Sequence, residues 1–444
     1  MFLRVDAMKP MRGFVYPLVV STVLSAAACA EAGSPEPADP SILTATSGVV
    51  ATTTTLRPVA ESTVPPVAVE PTIEPLGEDG SDVLAPGEAA VRIQEALDEA
   101  LLDWPAPGLM LWVDTPEETI VATSGWADRE EQIPMQPDRP FYTGSITKMF
   151  VATVVMQLVE EGLINLDDPL SIWFPEVLEK PYGDQITVGH LLAHKSGIRY
   201  FGTVPELRQA LWGDGESFDP QVIAETMIRD HSLEQTPGRF SYSNTNYLIL
   251  GLLIEDVTGQ PAETAIRRRI LDPLGLDHTY LATYEDPIGD ILPAYSDFVA
   301  MDGSGGFINQ HPLLDRVDAE FAERYFRTTW MTGGMVSTAP DLITFVRALF
   351  NGKLFDDPAT LGTMRVFSGS GSEAQFGLGI MRVRPGGKEF LGHFGHSSGH
   401  VAGVIYSAEH DCAIVVMANS DAQSGDDLIR LAYIGLTALE PVSP

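Results

Sequence analysis

The hydrophobic pattern changes period twice along this chain, and that limits the folds open to it. A helical stripe at 86–104 (Val91, Ile93, Ala96, Leu97, Leu101, Leu102) precedes two strand-like runs, "GLMLWVDT" and "ETIVATSGWAD", joined by a turn at Pro116. From about Leu166 to Phe350 the pattern is mostly short helices broken by Pro and Gly, such as "ITVGHLLAHKSG" and "TNYLILGLLIEDVTG". Then "QFGLGIMRVRP", "KEFLGHFG", "HVAGVIYSAEH" and "CAIVVMANS" read as four consecutive strands, and "SGDDLIRLAYIGLTALE" closes the chain as a helix. Strands therefore come from both chain ends, with helices between. The simplest arrangement is an α/β (α+β) fold: one central antiparallel sheet flanked by helices, with a mostly helical region inserted. No internal repeat is visible, and 444 residues suffice for a sizeable core.

That pattern begins only near residue 88. Residues 1–29 read as an export signal. Arg4, Lys9 and Arg12 precede the apolar run "GFVYPLVVSTVLSAAAC", which is short for a spanning helix. Asp6 sits badly in a positive leader, and Met11 opens a cleaner one. "AAAC" resembles a bacterial lipobox, although Ala26 stands where Leu is commoner; Cys29 is then the lipidation site. Residues 30–87 are rich in Pro, Thr, Ala, Glu and Ser without useful periodicity, the composition of a disordered tether. An exported protein held at the cell envelope by a lipid anchor is the expectation, with plain secretion as the alternative.

Charge removes some function classes. Asp and Glu number 61 against 27 Lys and Arg, a formal charge of −34, which disfavours nucleic acid and anionic lipid as partners. Two cysteines, Cys29 and Cys412, cannot form a disulfide framework.

Three short motifs carry chemistry. In "GSITKMFVATVVMQLVEEG", Ser145 and Lys148 are three apart at the mouth of an apolar helix, hence on one face. A serine nucleophile needs a base, and a lysine serves when burial lowers its pKa. Alone, this pair could be two ordinary helix-start residues. Next, "TPGRFSYSNTNYLILGLL" places Tyr242 and Asn244 at a helix entry, where Ser243 or Asn244 could also be a plain cap. Finally "GHFGHSSGHVAGVIY" contains His393-Phe394-Gly395; on a strand edge Gly395 lets a substrate backbone come close.

Together, in this order, the motifs resemble the serine β-lactamase and penicillin-binding-protein superfamily, in its class C-like branch. "ITVGHLLAHKSGIRY", "ILDPLGLDHTY", "GGMVSTAPDLITFVRAL" and "FGLGI" are similar to segments of that branch, so the resemblance spans roughly residues 88–438. It implies a β-lactamase/transpeptidase-like fold and a serine acyl hydrolase without cofactor or metal. Ser145 would be acylated, Lys148 and Tyr242 would share the proton transfers, and Asn244 would hold a substrate amide. The N–H groups of Ser145 and His396 would form the oxyanion hole. His393 replaces the usual lysine and Phe394 the usual threonine of the third motif. A cationic His393 would bind a substrate carboxylate beside Gly395. The substrate implied first is a D-alanyl-D-alanine-type peptide, such as a peptidoglycan stem peptide. An esterase or lactonase comes next, then a β-lactamase or D-amino-acid amidase. A non-catalytic penicillin- or peptidoglycan-binding sensor is the alternative from another class. Nothing in the sequence fixes an oligomeric state.

Other features read as structural. His393, His396 and His400 lack an acidic partner; on one strand 396 and 400 would share a face and 393 take the other. His190 and His194 have zincin spacing without its glutamate, so a packed helix-end histidine is expected. Cys412 reads as a buried strand residue, Trp330 as a core or cleft-wall residue, and 284–326 as a lid or an excursion.

Overall fold

A computed structural model describes residues 87–438, apart from 105, 176, 178–179, 181, 213–218, 231–232, 297–314, 369–373, 385–386 and 423–424. The expected export signal with Cys29, and residues 30–86 of the expected linker, lie outside the described residues.

Helix α1 (Glu88–Asp103) leads into strands β1 (Gly108–Asp114), β2 (Thr119–Asp128) and β3 (Ile133–Pro134). The C-terminal strands are β4 (Ala374–Phe376), β5 (Met381–Val383), β6 (Phe390–Ser397), β7 (His400–Ser407) and β8 (Cys412–Ala418). All eight form one antiparallel sheet in the order β3-β2-β1-β8-β7-β6-β5-β4. The chain ends thus meet in mid-sheet, with Leu109 opposite Ala418 and Val113 opposite Ile414. Asn419 staples that seam. Its Oδ1 accepts from Gly108 N (2.8 Å) and its Nδ2 donates to the carbonyls of Trp126 and Ala127 (3.1 Å each). The run "QFGLGIMRVRP" is two strands rather than one, because Gly379 at φ +74° turns the chain between β4 and β5.

Strands β7 and β8 are buried along their whole length, because both faces of the sheet are covered. One face packs on α1 and the closing helix α7 (Gly425–Ala438) through Ile93, Leu97, Leu428 and Leu431. The other packs on α2 (Thr147–Glu160) and α6 (Ala339–Phe350), which have Phe150 stacked on Phe345 at 3.8 Å. Helix α2 is buried nearly all round, as a helix apolar on every side must be. A small sheet pairs Phe141–Tyr142 and Tyr280–Leu281 with Met335–Ser337 between them, setting the approach to Ser145 beside residues 332–335.

Candidate active site

Ser145 lies in a 3₁₀ turn, Gly144–Ile146, that feeds α2, one step before the regular helix expected there. The spacing still works: Lys148 Nζ donates to Ser145 Oγ at 2.8 Å and to the Thr332 carbonyl at 2.5 Å. Lys148 is fully buried, and its Nζ lies 5.3 and 5.5 Å from the ring centres of Tyr242 and Tyr247. Burial holds its amine well below the ordinary lysine range. Tyr242 donates from its hydroxyl to the same Ser145 Oγ at 2.9 Å. The serine is therefore in contact with both proton-handling groups, and Ser145 itself is only half-buried.

The main chain around Ser145 is crossed at close range by β6. A Cβ on Gly395 would lie 1.8 Å from the Thr143 carbonyl oxygen and 3.0 Å from Ser145 N. A Cβ on Gly144, already at φ +52°, would lie 2.7 Å from His396 N. The serine loop alone therefore requires glycine at 395, a reason that the sequence reading did not supply. The crossing sets the N–H groups of Ser145 and His396 beside one another. Ser397 and His400 close a two-residue hairpin, so by alternation His396 N–H points away from β7. On that side β5 pairs β6 only as far as Gly392.

His393 is buried on the same face of β6 as Leu391, and its Nδ1–H donates to the Phe394 carbonyl at 2.5 Å. Burial pushes its pKa down to about 3. Near neutral pH it is an uncharged imidazole. His393 is thus a buried, uncharged imidazole here, not the cation that reading a substrate carboxylate would call for. Asn244 precedes helix α4 (Thr245–Thr258) but makes no side-chain cap, so its plain capping role falls away. Its side chain reaches the Tyr200 hydroxyl, while its buried Oδ1 has no hydrogen-bond partner.

Sequence reasoning missed two contributors. The Thr332 carbonyl is a main-chain acceptor with no residue signature; it is offered by a turn that begins at Trp330, φ +39°. Trp330 itself is core, its ring filling the space over Gly251 of α4. His194 lies just past the short helix α3 (Val188–Leu192), so it and His190 do not share a helix face. It is buried and stacks on Tyr242, ring centres 4.1 Å apart.

The other histidines fall differently from the expectation of one strand. The turn at Ser398–Gly399 returns the chain, so His393 and His400 share the α2 side of the sheet. His396 is exposed, its Nε2–H donating to the Asp421 carbonyl at 2.9 Å. No group of three His, Cys, Asp or Glu side chains among the described residues is placed to hold a metal. Cys412 is buried in β8, its thiol pushed up to about 12 by burial. Of the 284–326 segment, Tyr295–Ser296 pairs with Asp315–Arg316, and Ala319–Thr329 is helix α5.

Comparison with known proteins places this arrangement. The D-amino acid amidase of Ochrobactrum anthropi SV3, in its structure with D-phenylalanine, superposes with a TM-score of 0.68 at 29% identity. That match covers 79% of this chain and 99% of the amidase. A D-aminopeptidase of Gluconobacter oxydans is 26% identical over 78% of this chain and 62% of its own length. Esterase EstB of Burkholderia gladioli is 30% identical over 42% of this chain and 50% of its own. The chain spans about half to three fifths of the length of such curated relatives. The Beta-lactamase family profile matches residues 95–439, and the chain belongs to that family.

Proposed function

We propose that the protein is a serine acyl hydrolase that works through an acyl-enzyme on Ser145. The observation that carries this reading is the double contact on Ser145 Oγ, from Lys148 Nζ at 2.8 Å and Tyr242 Oη at 2.9 Å. A neutral Lys148 amine can accept as well as donate. It takes the proton as Oγ attacks the substrate carbonyl carbon, and the Lys148–Tyr242 pair returns a proton to the leaving group as the acyl bond breaks. The N–H groups of Ser145 and His396 receive the oxyanion; one such donor is typically worth about 2.7–4 kcal/mol. Water, activated by the same pair, then releases the acid. Asn244 orients the substrate beside Tyr200.

Within this class we favour short amides or esters of D-amino acids over carboxylate-bearing D-alanyl-D-alanine peptides. The relatives named D-aminopeptidase and D-amino acid amidase support the first. The second relied on a charged His393, which burial disfavours. The anchored reading keeps Cys29 as a lipidation site, residues 30–87 as a tether and 88–438 as the catalytic domain. The test is a rate comparison on D-phenylalanine amide, a D-alanyl-D-alanine peptide, a p-nitrophenyl ester and a chromogenic cephalosporin. Mass spectrometry locates a fluorophosphonate adduct. An adduct on any serine but Ser145 ends the mechanism, and fastest turnover of the dipeptide restores the carboxypeptidase reading. Palmitate labelling lost in Cys29→Ser supports the anchor; equal labelling sinks it.

A further inference from the structure

We propose that His194 is a positioning residue that brackets Tyr242 and holds its phenol against Ser145. This rests on the role for Tyr242 given above. Three contacts enclose the tyrosine. Ser241 N donates to the His194 carbonyl at 2.8 Å, and Ser243 N donates to His194 Nδ1 at 3.2 Å. Between those two bonds the imidazole lies against the phenol ring, inclined by 27° with centres 4.1 Å apart. One residue thus fixes the backbone on both sides of Tyr242 and the plane of its ring.

The imidazole is itself locked. Nδ1 accepts from Ser243 N, and Asn246 Nδ2 is also within reach at 3.4 Å, so the proton is on Nε2. Ser196 Oγ holds Asn246 Oδ1 at 2.6 Å and accepts from Ile198 N at 3.0 Å. Burial, the largest cause, keeps His194 well below the ordinary histidine range. The backbone pays for the placement, with His194 at φ +54°, a region histidine enters more readily than most residues.

A double-mutant cycle tests this. His194→Phe keeps a ring to stack but removes the acceptor for Ser243 N. With Tyr242 present, acylation by a p-nitrophenyl ester should slow by about ten- to a hundredfold with KM little changed, since small misplacements cost that much. In a Tyr242→Phe background the same change should cost less than about twofold, because the group it positions is gone. Equal losses in both backgrounds, or no loss with Tyr242 present, overturn the proposal. Tyr242→Phe having no effect by itself overturns instead the role assigned to Tyr242. Should His194→Phe fail to fold, His194→Asn, with an acceptor and no ring, enters the same cycle and is judged by the same outcomes.

Discussion

The sheet face under α1 and α7 and the face under α2 are both dry, yet they bury different chemistry. Beneath α1 and α7 lie Ile93, Leu97, Phe390, Ile414 and Leu431, with the un-ionised thiol of Cys412 among them. Beneath α2 the apolar core encloses Lys148, His194, His393 and His400, all at most 3% exposed. His400 has no hydrogen-bond partner for either ring nitrogen among the described residues. A buried polar group without a partner costs stability, about 1–3 kcal/mol. The first face is built for cohesion. The second gives up cohesion to keep bases uncharged, which is what a serine nucleophile requires of its neighbours.

The sharpest way to separate the faces is to remove the chemistry. Ser145→Ala should lower turnover by about 10⁴-fold or more. Lys148→Met should lower it comparably, yet leave the melting temperature unchanged or raised, because an apolar side chain of similar length replaces a desolvated amine. A large drop in melting temperature for Lys148→Met, read by calorimetry, would mean that the lysine is itself cohesive. The opposite pattern is expected across the sheet. Leu97→Ala should destabilise by about 2–5 kcal/mol in a denaturant melt. Turnover per folded molecule should stay within about twofold of wild type, since Leu97 packs in the core under α1 and α7, separate from the core around α2; a larger loss would show that the faces are coupled.

The histidines give a smaller, pH-dependent effect. Burial pushes His393 and His400 down to about 3, against about 6.5 in an unfolded chain. Between those values the unfolded state binds the extra proton. Each histidine therefore takes away up to about 1.4 kcal/mol of stability per pH unit as pH falls below 6.5, levelling off once the folded form protonates near 3. His400→Phe should make the stability–pH curve shallower over this window, as urea melts from pH 4 to 8 would show. An unchanged slope would place His400 in contact with water. The smallest expected effect is in substrate reading. Because His393 does not titrate near neutrality, a carboxylate-bearing dipeptide and a neutral ester should share the shape of their kcat/KM profile from pH 6 to 8. A decline confined to the dipeptide would return charge to His393.

Local pattern was enough for much of this. Strand and helix periods located β1, β2, β6, β7 and β8, and the spacing of Ser145 and Lys148 survived the replacement of the helix start by a 3₁₀ turn. What escaped depends on segments far apart in the chain. Gly395 is needed because Thr143 crosses it, and His393 loses its charge because the surrounding core encloses it. His194 looked like a spare helix-end residue because the residue it supports, Tyr242, is 48 positions away. The acceptor for Lys148 is a carbonyl, which every residue has and no sequence marks.

The bond from Gly108 N to Asn419 Oδ1 joins residues 311 apart, and β1 cannot gain β8 as a neighbour until nearly the whole chain is available. Contacts of that separation make folding slow, since the closure entropy comes before the reward. A chain emerging from N to C terminus presents Ser145 and Lys148 long before β6 exists to supply the second oxyanion donor. Assembly order itself would then act as a safeguard: the oxyanion site stays incomplete until β6 has folded across the Ser145 loop.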